Sequence, residues 1–327
     1  MFRLRFSFAT FYPSFTATEW NGLDKRYYST SGNHWIANSE FYQLSSTSVG
    51  GAVSISQSTV SKVLIERCTF FSCSTTLYGG AICVSLSNEG GFALSQVCAV
   101  SCRCSHSQTN SYPYTGQFCY SHASKEQYLY DSTIINTRAL YSSDRSILVP
   151  SSGNQYAERL NFSNNRVRFD SIFVYDAISH RSLYSTYANE IPITSIVVHF
   201  YSGGNNTMLL SNIVNNTAGE SFHAHCIQYY SGASRMDKCI FAENDLSKTC
   251  LFMVVGGVMT ISDSYIQNGY TNSGATITLA HPLISTYAIA HLQTGHCKAA
   301  LLSTNNPTFQ PRRVVLFQWF ILVNNFI

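Results

Sequence analysis

The chain is short of charge, of long apolar runs and of helical periodicity. Only 11% of its 327 residues are Asp, Glu, Lys or Arg, against about 25% in ordinary soluble domains. The 20 basic and 17 acidic residues leave a net charge of +3. They are scattered, so no basic stripe is on offer and no nucleic acid is expected as a partner. The apolar tail Val314–Val323, after Arg312 and Arg313, has ten residues, where a spanning helix needs about 20. It reads as a shortened anchor, an interfacial segment, or a strand covering the open end of the fold, which leaves membrane attachment open. No segment has ten or more residues with a 3.6-residue period, which excludes helical repeats.

Chemical constellations are also missing. Polysaccharide-cleaving enzymes need several acidic side chains close together with a basic partner, and no such group is visible, so no catalytic residue is assigned. His223-Ala-His225 puts two imidazoles on one strand face, but no third ligand stands one repeat away. These histidines read as surface or capping residues. Cys102-Arg-Cys-Ser-His106 has no second half at zinc spacing and reads as structural. Neither a metal nor a cofactor is expected.

What is present is a six-residue shape with an apolar third position and Asn or Cys sixth. Cys239-Ile-Phe-Ala-Glu-Asn244 is its clearest copy, with others at Cys68–Cys73, Leu160–Asn165, Ser211–Asn216 and Asp263–Asn268 and weaker ones starting at Val97, Asp131 and Tyr184. Successive starts lie 24 to 34 residues apart, the period of a solenoid. Gly90, Gly153, Gly204, Gly232 and Gly256 each stand seven residues before a start. Between these marks lie runs of three to six β-branched and aromatic residues such as Ile196–Tyr201 and Leu251–Val255, which read as strands.

A coil of roughly 28 residues with two or three short strands predicts an all-β parallel β-helix of about eight to nine coils. Equivalent residues then stack about 4.8 Å apart. The third positions, Phe70, Ala99, Thr133, Phe162, Thr186, Ile213, Phe241 and Tyr265, should form an inward column. The sixth, Cys73, Cys102, Asn136, Asn165, Asn189, Asn216, Asn244 and Asn268, should form a ladder at a bend, since Asn tolerates left-handed backbone and its amide both donates and accepts.

Residues 1–35 read as a leader or cap, 36–295 as the helix, and 296–327 as a tail with linker and short apolar segment. Met1–Tyr12 has the positive start of a signal peptide, but Pro13 interrupts a short apolar run. Eleven cysteines without a metal motif favour an oxidising compartment. Cys73 and Cys102 share a column in adjacent coils, near enough for a disulfide, or for a column of buried thiols. Asn161, Asn205 and Asn215 open glycosylation triplets.

Gly50-Gly-Ala-Val53, Gly79-Gly-Ala-Ile82, Phe162-Ser-Asn-Asn165 and Phe241-Ala-Glu-Asn244 together resemble the GGA[ILV] and FxxN repeats of polymorphic outer membrane proteins. The resemblance covers roughly residues 40 to 290 and is closest to the β-helix surface proteins of trichomonad protists. It implies a right-handed, pectin-lyase-like solenoid at the cell surface, with adhesion or antigenic display as its role and no catalytic residues. The expected partner is then a host or extracellular protein or glycan. The alternative is a polysaccharide-acting lyase or hydrolase on the same fold. Tyrosine-rich stretches such as Tyr184–Tyr187 and Tyr229-Tyr230 are candidates for a contact face.

Overall fold

The computed structural model describes residues 18–285 and Cys297, apart from Asp24, Thr30, Ser231 and residues 58–60, 87–88, 106–115, 139–145, 168–169, 193–195, 202–203, 218–224, 246–249 and 268–271. Every described regular element is a strand, and the strands pair in parallel from coil to coil. The chain forms a right-handed parallel β-helix of about seven turns of roughly 28 residues, slightly fewer than the eight to nine expected. The difference lies at the ends. One ladder has nine strands, but its first and last rows are covered by a neighbour on one side only.

Three ladders run along the axis. One coil passes through Val53–Gln57, Lys62–Glu66 and Thr69–Phe71, and the next through Ile82–Leu86, Gly91–Ser95 and Cys98–Val100. Ile82 lies over Val53, Gly91 over Lys62 and Cys98 over Thr69. A fourth, shorter ladder joins Ser45–Ser46, Ser74–Thr75 and Arg103–Cys104 in the first coils. Pairing already begins with Thr18–Asn21 on His34–Ala37, so solenoid strands start within the stretch read as a leader or cap. Of the expected tail only Cys297 lies among the described residues. No helix among the described residues is long and apolar enough to cross a membrane.

The third ladder carries the hexads, and here the register corrects the expected phase. Phe41, Phe70, Ala99, Ile134, Phe162, Tyr187, Ile213, Phe241 and Ile266 stand one over another. The hexads expected to start at Asp131, Tyr184 and Asp263 therefore start one residue later, and Thr133, Thr186 and Tyr265 are not column members. The reason is burial: the shift puts Ile134 and Tyr187 inside, both 1% exposed or less. Stacked rings fill this column, Phe41 on Phe70 at 4.8 Å and Phe162 on Tyr187 at 5.3 Å. Each buried phenylalanine contributes about 1.5–3 kcal/mol through the apolar area it removes from water.

The corners explain what misled the phase. The residue before every hexad adopts positive φ, including Asp131 (48°), Tyr184 (51°) and Asp263 (46°), and so does the fifth position, including Asn136 (55°), Asn164 (58°) and Asn189 (55°). Asn136 and Asn189 are therefore bend residues, not members of the inward ladder; Asn268 lies outside the described residues. The sixth column is Cys73, Cys102, Thr137, Asn165, Glu190, Asn216 and Asn244. The glycine marker slips likewise: Gly257, with φ +82°, takes the place expected of Gly256 and lies over Gly232. In the Gly-Gly-Ala motif, Gly79 holds φ +63° and a Cβ on Gly80 would lie 2.0 Å from the Gln117 carbonyl oxygen. Neither place admits another residue.

Candidate functional site

Inside the wall, the sixth column is a chain of donors. Asn165 Nδ2 donates to the Ile134 carbonyl at 3.0 Å, Asn216 Nδ2 to Tyr187 at 3.0 Å and Asn244 Nδ2 to Ile213 at 2.8 Å. Cys73 and Cys102 do the same with thiols, donating to the Phe41 and Phe70 carbonyls at 3.4 and 3.6 Å. In each case the acceptor is the third-position residue one coil below. Cys73 and Cys102 thus share a column as expected, but both are free buried thiols, because each is engaged as a ladder donor. The first hexad column repeats the logic: Ser132, Ser185, Ser211 and Ser264 hydroxyls and the Cys239 thiol donate two residues back.

The disulfide is elsewhere, joining Cys98 to Cys297 across 199 residues. Cys98 points outward from the third ladder, so this bond places Cys297 on the outside of the solenoid, against Val100 and Ile135. The other nine cysteines are buried and form no disulfide. Burial pushes Cys68, Cys83, Cys226 and Cys239 up to about 12, which keeps them protonated and unsuited to nucleophilic work.

Glu190 occupies an asparagine's place in the ladder and is 1% exposed. It accepts from the Asn165 backbone N–H at 3.2 Å and amide at 3.0 Å, and from the Ser171 hydroxyl. Burial outweighs these bonds and raises its carboxyl to about 8, so it is a neutral acid at pH 7. Nearby in sequence, Asp170 accepts from Ser146 at 3.0 Å and faces His199 Nδ1 at 3.5 Å. Inside the second ladder, His180 is held to about 3 by burial and meets Gln155 at 3.3 Å.

Sequence candidates scatter. His225 is buried, against the surface or capping role expected, and its Nδ1 lies 3.0 Å from the Cys250 sulfur; the strand's inward pairing puts it there. His223 and His106 lie outside the described residues. No group of three metal-ligating side chains occurs among the described residues. Of the glycosylation candidates, Asn161 is 2% exposed and closed to a glycan, whereas Asn205 and Asn215 are exposed. Of the four tyrosines in the candidate stretches, Tyr187 and Tyr229 point into the core and Tyr184 and Tyr230 stay outside.

The outer faces offer two features, of which the sequence had marked only Tyr230 as a contact candidate. Tyr175, Tyr201 and Tyr230 stand in register on the outside of the first ladder in three successive coils, while Val174, Phe200 and Tyr229 point inward between them. Tyr175 stacks on Tyr201 at 5.8 Å, Tyr201 meets Tyr230 edge-on at 4.7 Å, and Tyr201 remains 44% exposed. Phe173 and His199 flank them at 4.7 Å from each other. The signal was available: Ile172-Phe-Val-Tyr175 and Val198-His-Phe-Tyr201 show the same alternation. The second feature is a groove of about 590 Å³ beside the short fourth ladder, lined by Arg26, Arg103, serines and threonines. Among the described residues no carboxylate lines it.

No family model, curated protein or solved structure matches the chain. Its reading therefore rests on the column geometry and the two outer surfaces.

Proposed function

We propose that this is a non-enzymatic protein of the cell exterior that acts by adhesion or surface display, holding a protein or glycan partner on the outer face of the first ladder. The observation that carries this reading is the row Tyr175, Tyr201 and Tyr230. An outer strand position needs only a polar side chain to satisfy water, yet three coils in succession place aromatic rings there. Such rings give large contact area at low entropic cost. Because the rings lie against one another, they present edges and hydroxyls outward, a mixed apolar and hydrogen-bonding strip. The low charge of the chain and its surface of hydroxyls and amides support an extracellular setting. The resemblance to polymorphic outer membrane proteins and the possibility of membrane attachment belong to the same proposal.

Two assays test it. Surface labelling of intact cells should tag the protein, and labelling confined to lysed cells would refute the location. Purified protein should bind cell or matrix material, and Tyr201→Ala with Tyr230→Ala should weaken that binding at least tenfold, the scale of about 1.4 kcal/mol or more expected of aromatic anchors. Unchanged binding would refute the face. Cleavage of pectic polysaccharide by the purified protein would restore the lyase or hydrolase reading.

A further inference from the structure

The groove at the other end of the solenoid is distinct from the tyrosine row. Its floor is the fourth ladder, where Ser45, Ser74 and Arg103 stand in one column and Ser46, Thr75 and Cys104 in the next. The hydroxyls are oriented by the backbone. Thr76 Oγ1 donates to the Thr47 carbonyl at 2.8 Å, Ser105 Oγ to Thr75 at 3.3 Å, and Ser46 Oγ accepts from the Ser48 N–H at 3.0 Å. Arg26 is fixed on the rim, its Nε donating to the Gly50 carbonyl at 3.1 Å and its Nη2 to Val49 at 2.9 Å. Arg103 is exposed at the top of its column. Two guanidinium groups thus bracket a hydroxyl floor with no carboxylate among the described lining residues.

We propose that this groove binds an acidic oligosaccharide, with its carboxylate or sulfate groups on Arg103 and Arg26 and its sugar hydroxyls on the serine and threonine floor. Guanidinium matches planar oxyanions with paired hydrogen bonds. Ser and Thr hydroxyls both donate and accept, as sugar hydroxyls do. The volume falls in the range of about 300–1,000 Å³ that holds small organic ligands, larger than a bare anion needs. Among the described lining residues none is apolar or aromatic. Those residues offer a peptide no pocket for an anchoring side chain and a single-stranded nucleic acid no ring on which to stack a base.

The full chain is titrated, by calorimetry, with an oligogalacturonate, a heparin-derived sulfated oligosaccharide, a neutral cello-oligosaccharide and polyglutamate. At least one acidic sugar should bind, and the uronate and sulfate arms identify which anion is preferred. Binding should weaken as salt rises, and Arg103→Gln should weaken it about tenfold, as loss of a charge-assisted hydrogen bond does. Arg103→Gln removes only an exposed side chain, so circular dichroism should be unchanged. Tyr201→Ala should leave this binding intact, which separates it from the function proposed above. The inference is overturned if no acidic sugar binds, if the neutral sugar or polyglutamate binds as tightly, or if Arg103→Gln binds as the parent does.

Discussion

Replacing Glu190 by Gln should make the protein more resistant to unfolding at pH 8 and change little at pH 5. Glu190 lies in a ladder of amides, and burial raises its carboxyl from 4.5 to about 8. Between those values the folded chain holds a proton that the unfolded chain has released. Stability from this group is therefore complete below pH 4.5 and drains away up to about pH 8, at about 1.4 kcal/mol per unit. Across the window the loss is on the order of 5 kcal/mol as an upper bound. The amide in Glu190→Gln keeps an acceptor for the Asn165 N–H and offers a donor to Ser171, without a proton to lose. Urea unfolding followed by circular dichroism from pH 5 to 8.5 should show variant and parent diverging as pH rises. Parallel curves would mean that Glu190 is not the buried neutral acid described, and would refute the reasoning.

His180 provides the opposite limb: burial lowers it from 6.5 to about 3, so acid costs stability as pH falls through that interval, and His180→Gln should flatten the acid side of the same profile. Taken together, the two groups offset each other between about pH 4.5 and 6.5, and losing either should tilt that plateau. Asn216→Ala should cost about 3 kcal/mol, because the Tyr187 carbonyl and the Glu190 N–H lose their partners; Asn216→Cys should cost less, since Cys73 and Cys102 show that a thiol serves as donor. A Cys substitution as damaging as Ala would sink that explanation. Cys98→Ser should lower unfolding free energy by about 2–5 kcal/mol through the 199-residue loop it opens, and peptide mapping without reductant should recover Cys98 linked to Cys297. Alkylation of Cys98 in unreduced native protein would contradict the bond.

The fold was legible because a solenoid repeats its evidence. Phe70, Phe162, Ile213 and Phe241 announced an inward column, and the period forced coils upon it. The phase failed by one residue at Asp131, Tyr184 and Asp263 because two adjacent positions favour Asn for different reasons. One needs left-handed backbone, as at Asn136 and Asn189; the next needs an inward donor, as at Asn165 and Asn216. Where the inward place is held by Thr137 or Glu190, the bend residue alone carries the Asn, and reading by residue type chooses the wrong one. The disulfide was illegible because Cys297 reaches Cys98 across many coils, with no spacing to mark it. The tyrosine row was marked only by the alternation that Ile172-Phe-Val-Tyr175 shares with Val198-His-Phe-Tyr201, and the arginine groove comes from outward positions that no column pattern constrains.

Everything here depends on like positions lying over one another once per coil. Spin labels at Tyr42, Ser163 and Ala242, all on the outer side of the third ladder, test this by pulsed dipolar distance measurement. Four rows separate the first pair and seven the widest, so distances of about 19 and 34 Å are expected at the parallel row spacing. Their difference, about 14 Å, is insensitive to the label arms. Distances that fail to grow in proportion to row number would contradict the stacked coil and the surfaces built upon it.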